Sequence, residues 1–150
     1  MISTVTGQFK NFTVSAEAGD DFSDPTGIEV IIEASSIDTR NEQRDGHLRS
    51  ADFFDAENYP QVVFKGTRFH NDTLYGELTI KDVTKEIALQ VERGGVVVDP
   101  YGQTKAGFTV QGRISRKEFG LTWSAVTEAG QVVVSDEIKF HADIQLVKQS

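Results

Sequence analysis

Cysteine is absent from this chain, proline occurs three times, and methionine and tryptophan occur once each. The first absence removes both a disulfide framework and a thiol nucleophile, and leaves the chain equally suited to a reducing or an oxidising compartment. No apolar run approaches the roughly 20 residues that span a bilayer as a helix, and the start, MISTVTGQFKNF, has neither the basic nor the apolar region of a secretion signal. As written, the chain is expected to be a soluble cytoplasmic protein with no stable membrane insertion, and a periplasmic one if its true start lies upstream. Basic residues are also scarce: 15 against 23 acidic ones give a formal charge of −8. Nucleic acid and anionic lipid surfaces both reward positive charge, so neither is expected as a general partner.

Catalytic and cofactor signatures are thin. His47, His70 and His141 are far apart in sequence and show no metal-ligand spacing, so no transition-metal site is expected. Asp20, Asp21 and Asp24 lack the spacing of an EF-hand and read better as a solvated acidic loop. There is no Gly-x-Ser-x-Gly elbow and no Gly-rich loop before a Lys-Ser/Thr pair, and Gly94-Gly95 reads as a hairpin turn at a strand end. The expectation is a protein without cofactor and without enzymatic activity.

What the 150 residues do contain is alternation, consistent with one domain over 1–150 and a single core. Val5, Gly7 and Phe9, then Phe12, Val14 and Ala16, alternate with polar neighbours, slipping by one residue at Lys10 and Asn11. Ile28, Val30, Ile32 and Ala34 share one face of the next stretch, and Glu29 and Glu33 the other. The pattern returns at 61–69, 73–80, 85–94, 105–115, 131–135 and 136–148, with turn chemistry between: HND at 70–72, DPYG at 99–102 and TEAGQ at 127–131. Many short strands, each with one apolar face, predict an antiparallel sandwich or barrel.

One segment obeys helix grammar instead. Thr39 and Glu42 form a Thr-x-x-Glu capping box that predicts a helix starting just after Thr39, and Ser50 and Asp52 look like a second start. Pro60 biases Tyr59 to extended geometry before the next strand. Two short helices around residues 40–55 are therefore expected across one end of the barrel, as a lid carrying Phe53 and Phe54 inward or as an ordinary core plug. Around them gather Asp38, Arg40, Arg44, Asp45, His47 and Arg49. Such charges brace short helices, or, at the mouth of an apolar cavity, Arg44 and His47 orient a ligand's polar head.

The stretches SSIDTRNEQRDGHLRSADFFDAENYPQVVF, GELTIKDVTKEIALQV, AGFTVQGRISRKEFGLTW and SDEIKFHADIQL, in this order over nearly the whole chain, resemble the YceI-like family of bacterial lipocalin-like, polyisoprenoid-binding proteins. The resemblance implies an extended eight-stranded antiparallel barrel whose interior holds a long isoprenoid, such as a quinone tail or polyprenyl lipid, for storage or transport without catalysis. The alternation then supplies wall residues: Phe9, Val30, Ile32, Phe64, Leu78, Ile80, Phe108, Val110, Ile114, Phe140 and Ile144, with Phe53, Phe54, Phe119 and Trp123 as aromatic closures. Each of these also suits a core filled by its own side chains, as in a structural or stress-response interaction protein. Family members usually carry a further strand upstream of STVTGQF, with a Trp-x-x-Asp and a His-Ser pair. Its absence predicts unpaired strand edges and, through them, pairing into a homodimer.

Overall fold

The computed structural model describes residues 2–3, 7–17, 26–51, 53–121, 133–134 and 137–147. Its strands, in chain order, are β1 (Ile2–Ser3), β2 (Gln8–Phe9), β3 (Phe12–Glu17), β4 (Thr26–Glu33), β5 (Ile37–Asp38), β6 (Gln61–His70), β7 (Thr73–Ile80), β8 (Val83–Val98), β9 (Thr104–Ser115), β10 (Val133–Val134) and β11 (Glu137–Val147). Seven of them form one antiparallel sheet in the order β11-β9-β8-β7-β6-β4-β3, while β1 pairs with β10 and β2 with β5. The main sheet curls into a half-barrel whose two edges, among the described residues, are β3 and β11.

Period-two alternation decides which side faces in, and the register shows it as rows. Val14, Val30, Phe64, Leu78 and Lys85 stand directly opposite one another across successive strands. A second row runs through Arg93, Phe108 and Ile144. Directly opposed residues share a face, so the concave side carries a nearly continuous apolar surface while the convex side carries the charges, such as Glu77 opposite Lys65 and Glu86. Glycine makes room on the concave side at two points. A Cβ on Gly76 would stand 2.4 Å from Phe64 Cζ, and one on Gly112 2.6 Å from Phe140 Cζ, because the tip of each phenyl ring rests against a bare backbone.

The turns between long strands follow their residues. Asn71 and Asp72 both have positive φ, as the two-residue link from His70 to Thr73 requires. At 99–102, Gly102 N donates to Asp99 O at 3.0 Å and Gly102 has φ 82, closing the expected turn. Gly94-Gly95 is not a turn. Both lie inside the 16-residue β8, at a bulge between Arg93 and Gly95 opposite Phe108 and Gly107. A Cβ on Gly94 would come within 3.3 Å of Gly107 O and Gly95 has φ 102, so the pair is required by strand contact and bulge geometry.

The helical segment also departs from expectation. A single α-helix, α1 (Glu42–Arg49), is capped by Asn41, whose side chain accepts from Arg44 N at 3.1 Å. Thr39 is not the cap; it lies two residues outside the helix and its hydroxyl is engaged elsewhere. The second helix expected near Ser50 is a run of hydrogen-bonded turns, with Phe53 N and Asp55 N both donating to Ser50 O and Phe54 N to Leu48 O. Ser50 instead ends α1, its N–H and hydroxyl both donating to His47 O. The TEAGQ turn, the acidic Asp20, Asp21 and Asp24, and Asp52 and Trp123 lie outside the described residues.

Candidate functional site

The segment from α1 to β6 contributes Phe53 and Phe54 to the core that also holds Val62 and Ile80, with Ile32 and Val83 packed against it. There it plugs one end of the half-barrel. Phe53 and Phe54 are buried and meet edge to face at 4.9 Å, and Phe9 caps Phe54 in the same manner at 5.6 Å. A 3₁₀ turn at Lys117–Phe119 adds Phe119 and Leu121, which among the described residues are the most deeply buried large side chains at 1% and 0% exposure. Arg116 holds this turn by donating from Nη1 to Leu121 O at 2.9 Å.

Cover of the concave face is uneven. Val110, Leu74 and Leu89 are buried, while Phe108 and Ile144 opposite it are half-buried, as are Val30, Ile32, Ile114 and Phe140. At the β3 edge Phe12, on the concave face opposite Ile32, is 47% exposed. Among the described residues the concave surface is covered from Phe53, Phe54, Phe64 and Phe119 through Leu74, Leu89 and Val110, and is exposed at the β3 edge, where Phe12 stands.

A second opening lies in the wall itself. The β8–β9 ladder runs from Val98 to Gln90, opposite Gln111, and stops. Beyond it β8 continues on β7 alone and β9 on β11 alone. The resulting slot, about 440 Å³, is lined by Ile87, Ile114 and Phe119 together with the charged Lys85, Glu86, Arg113, Glu118 and Glu137. Phe119, buried at 1% exposure, is one of the residues that line this slot.

Of the two polar residues expected at a cavity mouth, Arg44 is engaged with the end of β5. Arg44 donates from Nε to Thr39 Oγ1 and from Nη2 to Thr39 O, both at 2.8 Å. Thr39 in turn donates through its N–H and its hydroxyl to Oδ1 of Asp45, which is buried on α1. This network ties α1 to the end of β5, a bracing role. His47 sits half-buried on the same helix. Asp38 is held below the ordinary carboxyl range by the Arg40 N–H it accepts, with Lys10 at 3.0 Å adding to the effect.

Sequence reasoning missed the cations of the concave face. Lys85 stands opposite Leu78, and Arg93 opposite Phe108 with its guanidinium 5.5 Å from the ring centre of Phe69. The signal was present: inward residues are odd-numbered up to Arg93 and even-numbered at Val96 and Val98, a phase change that a bulge produces and a hairpin turn does not. Among the described residues, no cluster of histidine and carboxylate suited to a metal is found, and no helix is long and apolar enough to cross a membrane.

An antiparallel sheet curled around an apolar face and stoppered at one end by aromatic rings defines a lipocalin-like half-barrel. The YceI-like domain model matches residues 1–146, and the chain belongs to the YceI-like family. A UPF0312 protein of Staphylococcus epidermidis is 38% identical over 148 residues, covering 97% of this chain and 85% of that protein. One from Staphylococcus aureus is 36% identical over 147 residues, with the same coverage of 97% and 85%. Among solved structures, a YceI protein from Campylobacter jejuni that crystallizes with large solvent channels superposes with a TM-score of 0.87 at 30% identity, covering 100% of this chain and 88% of that one. BcnA of Burkholderia cenocepacia, 19% identical with a TM-score of 0.76 over 93% of this chain and 86% of its own, shares the fold.

Proposed function

We propose that this protein binds a long-chain isoprenoid lipid, of the quinone or polyprenyl type, along the concave face of its half-barrel, and stores or carries it without catalysis. The observation that carries this reading is the partial cover of the concave apolar face. Val30, Phe108, Phe140 and Ile144 on this face are only half-buried and Phe12 at the β3 edge is 47% exposed, so among the described residues apolar area of the concave face remains uncovered. A slim chain laid on that area gains about 0.8 kcal/mol for each methylene removed from water, so several isoprene units suffice without a directional contact. The lipocalin-like family and fold are consistent with a binding protein of this kind.

A second reading has an observation of its own. The plug of Phe53, Phe54, Phe119 and Leu121 fills one end as a protein core does, which suits a structural or stress-response interaction protein. Titrating delipidated protein with a ubiquinone and with a polyprenol, and following the thermal midpoint, separates the two. Carrier function predicts a saturable rise with the lipid and none with a short-chain alcohol; an unmoved midpoint with both lipids contradicts it and favours the filled core.

A further inference from the structure

We infer that the tip of the β8–β9 hairpin, from Val96 to Tyr101, is a shallow docking element for the surface of a lipid bilayer, held there by apolar insertion rather than by charge. It lies outside the core and does not depend on what the concave face binds.

Alternation, which elsewhere in the sheet gives a strand one dry and one wet face, stops at this tip. Val96, Val97 and Val98 follow one another, so apolar side chains point to both sides. Val96 shares its row with Ala106 and Leu146 on the concave side, and Val97, opposite Lys105, points to the convex one. Exposure climbs along the three, from 51% through 60% to 68%, and reaches 91% at Tyr101 in the turn. None of the four is part of the hydrophobic core. The β7–β8 ladder stops at Gln90, so from Val91 onward β8 has only β9 as a paired strand among the described residues. A segment apolar on both faces has no side to turn to its own fold. It suits a medium that surrounds it, as the boundary of a bilayer does, better than a flat protein surface that meets one face.

The polar groups of the tip are already satisfied. Asp99 N donates to Gln103 O at 2.9 Å, Tyr101 N and Gln103 N both donate to Asp99 Oδ1 at 2.9 Å, and Gly102 N donates to Asp99 O at 3.0 Å. Pro100 has no N–H, so residues 99–103 keep no amide donor that requires water. The other carboxylate oxygen of Asp99 meets Lys105 Nζ at 3.1 Å, which leaves the tip without net charge. A turn that stays in water gains little from such closure, whereas one that sinks among headgroups would otherwise give up hydration without replacement. Tyr101, with an apolar ring and a polar hydroxyl, is a side chain that favours this boundary. Three strand residues span about 10 Å, the depth of an interfacial contact. The whole chain carries −8 and is repelled by anionic lipid, so a zwitterionic surface is the partner that fits.

The test is co-sedimentation of the full chain with phosphatidylcholine vesicles, and with vesicles that also contain phosphatidylglycerol, at low and high salt. It compares the wild type with Val97→Asp, Tyr101→Ser and, as a control on the convex face, Glu77→Gln. Expected is binding to phosphatidylcholine that high salt does not weaken, a loss of about tenfold or more in Val97→Asp, a smaller loss in Tyr101→Ser, and none in Glu77→Gln. Because the chain has no cysteine, Tyr101→Cys can carry a single environment-sensitive dye, whose emission is expected to shift to the blue on vesicles. Circular dichroism checks that each variant is folded. Absence of wild-type binding to phosphatidylcholine vesicles overturns the proposal, as does full binding by a folded Val97→Asp or an unmoved dye at position 101. Binding confined to vesicles with phosphatidylglycerol and abolished by salt places the contact on a charged surface elsewhere and overturns it too. A dimer in analytical ultracentrifugation that Val97→Asp dissociates, with no vesicle binding, assigns the tip to a second copy of the chain instead.

Discussion

Phe12 and Ile32 are directly opposed across the β3–β4 ladder and face the same concave side, yet Phe12 is 47% exposed where it borders the open edge. A large apolar ring held at the rim of an apolar strip contributes little to folding and much to anything laid on that strip. Phe12→Ser is therefore expected to change stability by less than about 1 kcal/mol, measured by urea unfolding, while weakening isoprenoid binding several-fold. Equal loss in both measurements would show Phe12 to be ordinary core.

Thr39 and Asp45 carry the opposite expectation. Asp45 Oδ1 accepts both the N–H and the hydroxyl of Thr39, and removing it leaves two donors without a partner in a buried place. Asp45→Ala is expected to cost about 2–3 kcal/mol. Arg44→Ala is expected to cost about 1–2 kcal/mol through the same network. Neither is expected to alter lipid affinity once measured on the folded fraction, because the cluster braces α1. A selective loss of binding in Arg44→Ala would return this residue to the mouth of the site.

Gly76 is closed to any side chain. An alanine there meets Phe64 Cζ at 2.4 Å and Lys65 O at 2.5 Å, and the backbone oxygen has nowhere to move within a paired ladder. Gly76→Ala is expected to destabilise by about 1–3 kcal/mol through displacement of the Phe64 ring. Unchanged thermal stability would contradict the close packing of that ring.

The β8–β9 turn carries a pH dependence. Asp99 is lowered from the ordinary value of 3.8, first by the Gln103 N–H it accepts, with Lys105 and the Tyr101 N–H acting in the same direction. A depressed carboxyl pKa contributes stability that is present above 3.8 and is lost as pH falls through the folded-state value. Amide exchange at Tyr101 and Gln103 is thus expected to accelerate relative to the rest of the sheet when pH drops below about 3.8, and Asp99→Asn to abolish that acid-specific loosening. Uniform behaviour of the two proteins across this range would remove Asp99 from the account.

How far this arrangement was readable without coordinates depends on the kind of signal each residue carries. Strand existence and facing were legible, because Leu74, Leu78 and Ile80 or Ile138, Phe140 and Ile144 alternate with polar residues and only one side can be dry. The tight turns at Asn71-Asp72 and Asp99-Gly102 were legible because their chemistry is local. The capping role of Thr39 was misread: a Thr-x-x-Glu pattern competes with a tertiary partner, and the buried carboxylate of Asp45 with Arg44 beside it won the hydroxyl. Gly94-Gly95 was misread because glycine serves a turn and a bulge alike, and the close approach of Gly107 that distinguishes them is non-local. The slot between β8 and β9 has no sequence signature, since where a ladder stops pairing is a non-local property of both strands.

The central claim is that the concave face holds an isoprenoid chain. Native mass spectrometry of the purified protein, followed by organic extraction and identification of what is released, tests it most directly. Expected is a bound species of about one molecule per chain that yields a long isoprenoid. A folded protein that carries no lipid, and acquires none after incubation with a ubiquinone or a polyprenol, would contradict it.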